Sequence, residues 1–455
     1  MAGLVEITCW CLVLNLGLLT ALPTEPQLGH GNSEDVFTKS QTASLITGAG
    51  YPQESHRVAT SDGYLLTLHR IPHGKGAPSG VRRTPVFIMH GLTGTSSAFV
   101  QQAPEFALGF NLADAGYDVW LGNARGNRQS RAHATLDPDT DAIAFFDFSW
   151  EEIGLRDLPA MIDYVLTTTA FDKLHYIGHS QGGTAFLVLN SMLPEYNDKF
   201  YSAHLLAGVG YMAHFPDIRL ATISQSSNEI YALALSYGVV EVVRASFTVN
   251  SLTDLLFPRS RTNVDCNSTD AAVQPFCNTV TMMRNNEQPD VSNIISQLAG
   301  ANGGASIKQF AHYGQNIASK LFRRWDLGPG NVQAYGTEAP PLYNLSLITV
   351  NTTMHYTVSD YLVDERDVLA MVDAMPNAVA RKVARETFTH SDFIITDDAK
   401  ELVNDYIIEA FGYMEEEING EIDPITPPNV PDSSTTLSLG VLLQVYLIAY
   451  ILNLL

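Results

Sequence analysis

A serine stands at the centre of the pentapeptide Gly178-His179-Ser180-Gln181-Gly182, which matches the pattern G-x-S-x-G. The apolar run Leu174–Ile177 leads directly into it, and residues 183–193 follow as a predicted helix. A nucleophilic serine needs this strand–turn–helix context, because the turn presents the hydroxyl at a helix N-terminus. We therefore predict Ser180 as a nucleophile and the backbone N–H of Gln181 as an oxyanion donor. An ordinary tight turn is the alternative interpretation.

The loop after an earlier apolar run, Val86–Met89, is the expected source of a second oxyanion donor. It reads His90-Gly91-Leu92, in which the glycine permits a turn and the backbone N–H of Leu92 is predicted to face the substrate oxygen. His90 could act as a catalytic base, but we expect it to brace the loop by hydrogen bonding.

The base and its acidic partner are expected after the serine, in the chain order Ser, Asp, His. Asp360 follows the predicted strand Thr353–Val358, and His390 lies in a loop further along the chain. In this arrangement His390 takes the serine proton, while Asp360 holds the imidazole tautomer. Asp364 is the competing acid, although its position suits the cap of a helix that begins near Arg366.

Predicted strands and helices alternate along most of the chain. Strand character occurs at Tyr64–Ile71, Val86–Met89, Tyr117–Leu121, Leu174–Ile177 and Thr353–Val358, and helical spacing occurs at Leu158–Val165, Ile230–Val243 and Ala311–Leu321. Such alternation indicates an α/β fold with a mostly parallel sheet flanked by helices. Because the pattern blurs after about residue 213, we predict a core of residues 40–212 and 341–412, interrupted by a mainly helical cap, residues 213–340.

Both ends of the chain carry predicted targeting signals. Residues 1–21 form an apolar run that ends in small residues, which is typical of a signal peptide. At the other end, an acidic, proline-rich linker (residues 413–436) leads into an apolar tail (residues 437–455). This order of segments predicts a GPI-attachment signal. A single membrane span and a soluble amphipathic end are the alternatives.

Removal of the signal peptide leaves two cysteines, Cys266 and Cys277, which in a secreted protein are predicted to form a disulfide. Asn-x-Ser/Thr triplets at Asn267, Asn344 and Asn351 predict N-glycosylation. No cluster of His, Cys and Asp has the spacing of metal ligands, so neither a metal nor a cofactor is expected.

The composition also limits the kinds of molecule that the protein is expected to bind. The chain has 26 Lys and Arg against 48 Asp and Glu, a formal net charge of -22, and nucleic acid is therefore not expected to bind. Its 45% of hydrophobic residues can fill a large core, which excludes a globally disordered chain. The acidic surface would suit an acidic compartment, since self-repulsion eases as the pH falls, although solubility alone also accounts for it.

Several segments resemble the acid lipase family, which includes lysosomal and gastric lipases. The matching segments include Gly50-Tyr51-Pro52, Asp62-Gly63-Tyr64, Arg70-Ile71-Pro72, His90-Gly91-Leu92, Leu112–Asn123, Arg125-Gly126-Asn127, Asp157–Ala160 and the serine pentapeptide. The resemblance covers about residues 40–412 and is weakest in the cap. It implies an α/β-hydrolase fold with an inserted cap and lid. It also assigns the catalytic roles to Ser180, Asp360 and His390, and the oxyanion donors to Leu92 and Gln181.

The chain departs from the family pattern around the acid and the base. Asp360-Tyr361-Leu362-Val363-Asp364 replaces the usual Asp-Trp-Leu-Ala-Asp, and Thr389-His390-Ser391-Asp392-Phe393 replaces a segment that usually reads Asn-His-Leu-Asp-Phe. Both segments keep the catalytic residue types, so the departures bear on substrate preference rather than on the chemistry.

The sequence therefore predicts a secreted or membrane-anchored serine hydrolase that cleaves neutral lipid esters at a lipid–water interface through an acyl-enzyme. Triacylglycerols and sterol esters both fit. The expected location is extracellular, lysosomal, or on an outer or lumenal membrane face. Two alternatives remain open: a catalytically silent lipid-binding protein on the same fold, and an esterase for small soluble esters.

Overall fold

The computed structural model describes residues 40–236, 238–242 and 303–419. Several predicted features lie outside the described residues: the signal peptide, Cys266, Cys277, Asn267, the linker from residue 420 onward and the apolar tail. The other two sequon asparagines, Asn344 and Asn351, are exposed at the surface.

Eight strands form the central sheet. The strands of the described residues are β1 (Glu54–Ala59), β2 (Leu65–Ile71), β3 (Pro85–Met89), β4 (Asp118–Leu121), β5 (Leu174–His179), β6 (Phe200–Leu206), β7 (Glu241–Val242), β8 (Ala305–Ser306), β9 (Thr352–Tyr356) and β10 (Ala378–Lys382). The sheet order is β1-β2-β4-β3-β5-β6-β9-β10, with β7 and β8 pairing separately. From β4 to β10 all neighbours are parallel, whereas β1 and β2 are antiparallel at one edge. The predicted mostly parallel sheet is confirmed.

Helices cover both faces of this sheet. The helices of the described residues are α1 (Gln41–Gly48), α2 (Leu108–Asp114), α3 (Ala142–Phe145), α4 (Trp150–Glu152), α5 (Leu158–Thr169), α6 (Gln181–Met192), α7 (Ile218–Ser224), α8 (Ser227–Ser236), α9 (Ile307–Ser319), α10 (Asn331–Tyr335), α11 (Glu365–Ala374), α12 (Asp392–Ile395) and α13 (Asp405–Asn419). Helices α5 and α6 contribute to one hydrophobic cluster, and α1, α2 and α13 contribute to a second cluster.

The central strands supply both clusters with alternate residues. In β3, Val86 and Ile88 belong to one cluster, whereas Phe87 and Met89 belong to the other. Successive side chains of a strand point to opposite faces, so a strand buried on both sides reads as a continuous apolar run. This is the physical reason that the central strands stand out in the sequence.

The described part of the predicted cap lies between β6 and β9 and holds α7 to α10 and the β7–β8 pair. The predicted helix Ile230–Val243 is too long: α8 ends at Ser236, and Glu241–Val242 form a strand. Gly238 follows the helix with a φ of 70°, a backbone conformation that suits glycine and breaks a helix. The second predicted cap helix begins earlier than expected, at Ile307, because the Ser306 side chain caps its first turn.

The chain's last described helix extends beyond the predicted core. Helix α13 ends at Asn419, seven residues into the segment predicted as an acidic linker. Ile407 and Phe411 anchor the helix in the core, and the run of glutamates that follows has good helix propensity. Within residues 40–236, 238–242 and 303–419, no helix combines the length and apolar character needed to cross a bilayer.

Candidate active site

Ser180 occupies a strained turn between β5 and α6, as the sequence predicted. Its φ of 52° and ψ of -114° lie outside the conformations that ordinary residues prefer, at a cost of about 1–3 kcal/mol. Hydrogen bonds on both sides hold the turn. The Ser180 N–H donates to the carbonyl of Leu206 on β6 at 2.9 Å, and its own carbonyl accepts from the N–H of Gly183 at 2.9 Å.

The two outer glycines of the pentapeptide allow β5, α6 and β3 to approach one another. A Cβ at Gly178 would lie 2.6 Å from the main-chain carbon of Gly182. A Cβ at Gly182 would lie 2.4 Å from the carbonyl oxygen of Met89. Any side chain at either position would push α6 away from the sheet and move the serine, so these glycines serve packing.

The loop that follows β3 reaches the serine. A Cβ at Gly91 would lie 3.1 Å from the Cβ of Ser180, so the loop packs directly against the turn. Leu92, the predicted second oxyanion residue, comes next in the chain. The loop turns sharply here, because the N–H of Gly94 donates to the carbonyl of Gly91 at 3.0 Å.

His90 braces this loop, as expected. Its Nδ1 donates to the carbonyl of Gly91 at 2.7 Å. Its Nε2 accepts from the N–H of Ala124 at 3.1 Å and from the amide of Asn127 at 3.0 Å. Burial lowers the pKa of His90 to about 4, so the ring stays neutral with its proton on Nδ1. Since both ring nitrogens are engaged in structure, His90 is not positioned as a base.

Asp360 and His390 form a buried pair. His390 Nδ1 donates to Asp360 Oδ2 at 2.8 Å, and both side chains are buried. The other carboxylate oxygen, Oδ1, accepts from the backbone N–H groups of Leu362 at 2.7 Å and Val363 at 3.0 Å. The carboxylate is therefore fixed at both oxygens. It holds the proton of His390 on Nδ1, which leaves Nε2 as the acceptor nitrogen.

Asp364, the competing acid, has a different task. Its carboxylate caps α11 by accepting from the N–H of Arg366 at 2.9 Å, and it pairs with the Arg366 guanidinium at 2.8 Å. Hydrogen bonding to this guanidinium lowers the pKa of Asp364 below its ordinary value. Of the two aspartates, it is Asp360 that contacts the histidine.

His179, which the sequence analysis did not single out, links the serine turn to the histidine loop. Its Nε2 donates to the carbonyl oxygen of His390 at 3.0 Å. Burial lowers the pKa of His179 to about 3, so the ring remains a neutral donor. Because His179 also precedes Ser180 in the chain, it fixes the base loop relative to the serine. The sequence signal for this role is the position of His179 in the pentapeptide, next to Ser180.

The comparisons with known proteins identify the family of the chain. Residues 42–103 match the family described as "Partial alpha/beta-hydrolase lipase region", and residues 84–238 match "alpha/beta hydrolase fold". The chain is 38% identical over 376 residues to "Lipase 1" of Drosophila melanogaster, covering 82% of this chain and 80% of that protein. It is 32% identical over 369 residues to "Gastric triacylglycerol lipase" of Bos taurus, covering 80% and 89%. The chain belongs to the acid lipase family.

The enzyme is thus a carboxylic ester hydrolase with an α/β-hydrolase fold, and both predictions are confirmed. A third relative, "Lipase 3" of Drosophila melanogaster, is 36% identical over 374 residues, which are 81% of this chain and 92% of that protein. Within the three described ranges of the enzyme, no group of three or more His, Cys, Asp or Glu side chains is arranged to hold a metal ion.

A buried arginine of the enzyme, Arg125, stabilises the segment that contacts His90. Arg125 Nε donates to Asp157 at 2.7 Å, and its guanidinium also pairs with Asp62 at 2.7 Å. The guanidinium carbon lies 4.1 Å from the centre of the Tyr64 ring. The sequence shows these residues as separate family matches, without a sign that they meet. Together they fix the segment whose backbone contacts His90.

Proposed function

We propose that the enzyme hydrolyses neutral lipid esters, with Ser180 as nucleophile, His390 as general base and acid, and Asp360 as the orienting carboxylate. The observation that carries this proposal is the buried 2.8 Å hydrogen bond between His390 Nδ1 and Asp360 Oδ2. His179 ties that histidine loop to the strained serine turn, which supports a joint role of the three residues.

The acylation step follows from the tautomer of His390. Its Nε2 takes the proton of the Ser180 hydroxyl while the serine oxygen attacks the ester carbonyl carbon. Asp360 stabilises the imidazolium that forms. The leaving alcohol then takes the proton from Nε2, and the acyl group stays on Ser180. A water molecule repeats the sequence, and the fatty acid is released.

Two backbone N–H groups are proposed to stabilise the negative charge on the carbonyl oxygen. One is that of Gln181, the first residue of α6, where the positive end of the helix dipole adds to the hydrogen bond. The other is that of Leu92, which follows the Gly91 contact with Ser180. Neither donor has to reorganise during the reaction, which is the usual source of a large rate effect.

Triacylglycerols are the first substrates to examine, because a relative that is 32% identical carries the name "Gastric triacylglycerol lipase". Sterol esters offer the same reacting bond. We further propose that part of the cap, residues 213–340, covers the site in water and opens at a lipid surface. Apolar substrates need a covered apolar groove, and the cap follows β6, one strand after the serine.

We also place the enzyme in the secretory pathway. Residues 1–21 would be removed as a signal peptide, Cys266 and Cys277 would pair, and Asn267, Asn344 and Asn351 would carry glycans. The exposure of Asn344 and Asn351 supports their part of this proposal. The tail would serve as a GPI-attachment signal, so that phosphatidylinositol-specific phospholipase C should release active enzyme from cells. Retention after this treatment would favour a membrane span.

The decisive experiment compares two esters at equal molar concentration: an emulsified long-chain triacylglycerol and a soluble short-chain ester. A lipase should show a jump in rate once the substrate forms an emulsion, and Ser180→Ala should abolish hydrolysis of both. Activity confined to the soluble ester would contradict the lipid substrate. Binding of the emulsion without hydrolysis of either ester would contradict the enzymatic proposal and indicate a lipid-binding protein.

A further inference from the structure

Residues 303–313, which belong to the cap, contact the serine site in two places. The first contact is with the loop after β3, where the N–H of Gly303 donates to the carbonyl of Thr93 at 2.8 Å. The fit is tight, since a Cβ at Gly303 would lie 2.2 Å from the carbonyl oxygen of Gly94. Thr93 directly follows Leu92, so the cap segment lies against the loop of one proposed oxyanion donor.

The second contact is with the residue of the other proposed donor. The side-chain amide of Gln181 donates to Gln309 Oε1 of α9 at 2.7 Å. Both glutamines are almost fully buried, at 3% and 2% exposure. A buried amide without a partner costs more than an exposed one, because water cannot replace the lost bond. The position of Gln181 is therefore sensitive to the position of α9.

A second hydrogen bond, one turn further along both helices, reinforces this contact. The hydroxyls of Thr184 and Tyr313 lie 2.8 Å apart. The Thr184 hydroxyl donates to the carbonyl of Val209 at 2.7 Å, so Tyr313 is the donor of the pair. Helix α9 is thus joined to the first turn of α6, the turn in which the backbone N–H of Gln181 lies.

We propose that Gln309 is a positioning residue for ester hydrolysis, which holds Gln181 through its side chain so that the Gln181 backbone N–H meets the developing oxyanion. The inference rests on the proposed function. It makes residues 303–313 of the cap a fixed part of the site. Gln309 does not touch the reacting atoms and acts through Gln181.

The test uses the full-length enzyme with a volume-matched change, Gln309→Met, which removes the acceptor oxygen. A donor position that is slightly wrong weakens binding of the transition state more than binding of the substrate. We therefore expect kcat on a soluble ester to fall by about tenfold, less than the ~10²–10³-fold seen on loss of a complete oxyanion donor. KM should stay within about twofold. Gln309→Glu keeps an acceptor oxygen and should restore most of the lost kcat.

A matched control lies on the same helix. Gln315 is also buried, and its side-chain amide donates to Asn228 Oδ1 at 2.7 Å. Gln315→Met should lower the melting temperature but leave kcat near that of the wild type. If Gln309→Met folds poorly, Gln181→Met tests the same bond from its other end. That variant should show the same loss of kcat at unchanged KM.

The possible results separate this inference from the proposed function. An active wild-type enzyme in which Gln309→Met and Gln181→Met keep wild-type kcat would overturn the role of Gln309 alone. Equal changes in kcat for Gln309→Met and Gln315→Met would also overturn it, since they would indicate a general effect of stability. A folded wild-type enzyme without activity on any ester would overturn the proposed function, and the role of Gln309 with it.

Discussion

The hydroxyl of Tyr361 lies 3.2 Å from the Oγ of Ser391. Tyr361 follows Asp360 and Ser391 follows His390, so this contact joins the loop of the acid to the loop of the base. These are two of the positions at which the chain departs from the family pattern, where Trp and Leu are usual. The departures are therefore a complementary pair, and they lie close to the bond that orients His390.

Removal of the Tyr361 hydroxyl should loosen the two loops. We expect Tyr361→Phe to lower kcat by about two- to fivefold and the free energy of unfolding by about 0.5–1.5 kcal/mol, since a partly buried hydrogen bond is lost. Ser391→Ala should have a similar effect, and the double variant should be no worse than either single variant. Steady-state kinetics and thermal unfolding measure both quantities. Additive losses would show that the two hydroxyls act independently.

The roles of Asp360 and Asp364 are separated by comparing kcat with stability. Asp360→Asn should lower kcat by about 10⁴-fold with the fold intact, because His390 then holds the wrong tautomer. Asp364→Asn should leave kcat nearly unchanged and cost at most about 0.5–2 kcal/mol of stability, as expected for a residue that caps α11. The same change at both positions makes each variant the control of the other. The assignment would be reversed if Asp364→Asn abolished turnover.

Much of this site was predictable because its determinants are local. The apolar run of β5, the glycines around Ser180 and the helix that follows are contiguous, so a strand–turn–helix with an exposed serine is readable from one segment. The choice of Asp360 over Asp364 was also local, since the first follows a strand and the second precedes a helix. The parallel sheet followed from alternating elements.

The contacts that fix the site were not predictable, because they join residues far apart in the chain. His179 and His390 are 211 positions apart, and Gln181 and Gln309 are 128 apart. No periodic pattern links such residues, and the sequence does not distinguish a neutral, buried histidine from a catalytic one. The extent of α13 was missed for a different reason. A run of glutamates suits a solvated linker and an exposed helix equally well.

Buried histidines should make the fold less stable at acidic pH. The acidic surface alone predicts the opposite, because its self-repulsion eases as the pH falls. His69 is buried and hydrogen-bonded to Gln129, and burial lowers its pKa to about 4. In the unfolded chain the His69 ring takes up a proton below about pH 6.5, whereas in the folded enzyme it does so only near pH 4. The free energy of unfolding should therefore fall by up to about 1.4 kcal/mol per pH unit between these values. Asp157, whose pKa burial raises to about 6, contributes with the opposite sign.

Melting temperatures of the wild type and His69→Gln between pH 4 and pH 8 check this prediction. The variant should lose less stability than the wild type as the pH falls from 6.5 to 4, because it lacks one of the groups that the unfolded chain protonates. The difference in melting temperature between the two proteins at pH 8 reports the lost contacts alone and serves as the baseline. Parallel curves for the two proteins would contradict the prediction. The Asp157 contribution is common to both proteins and cancels.

Covalent labelling of the folded enzyme with a fluorophosphonate, followed by mass spectrometry of its peptides, tests the central claim most directly. The probe mimics the acylation step and needs an activated serine. We predict that the label maps to Ser180, that Ser180→Ala abolishes labelling, and that His390→Phe slows it strongly while the melting temperature stays close to that of the wild type. A folded wild-type enzyme that takes up no label, or carries it on another residue, would contradict the account.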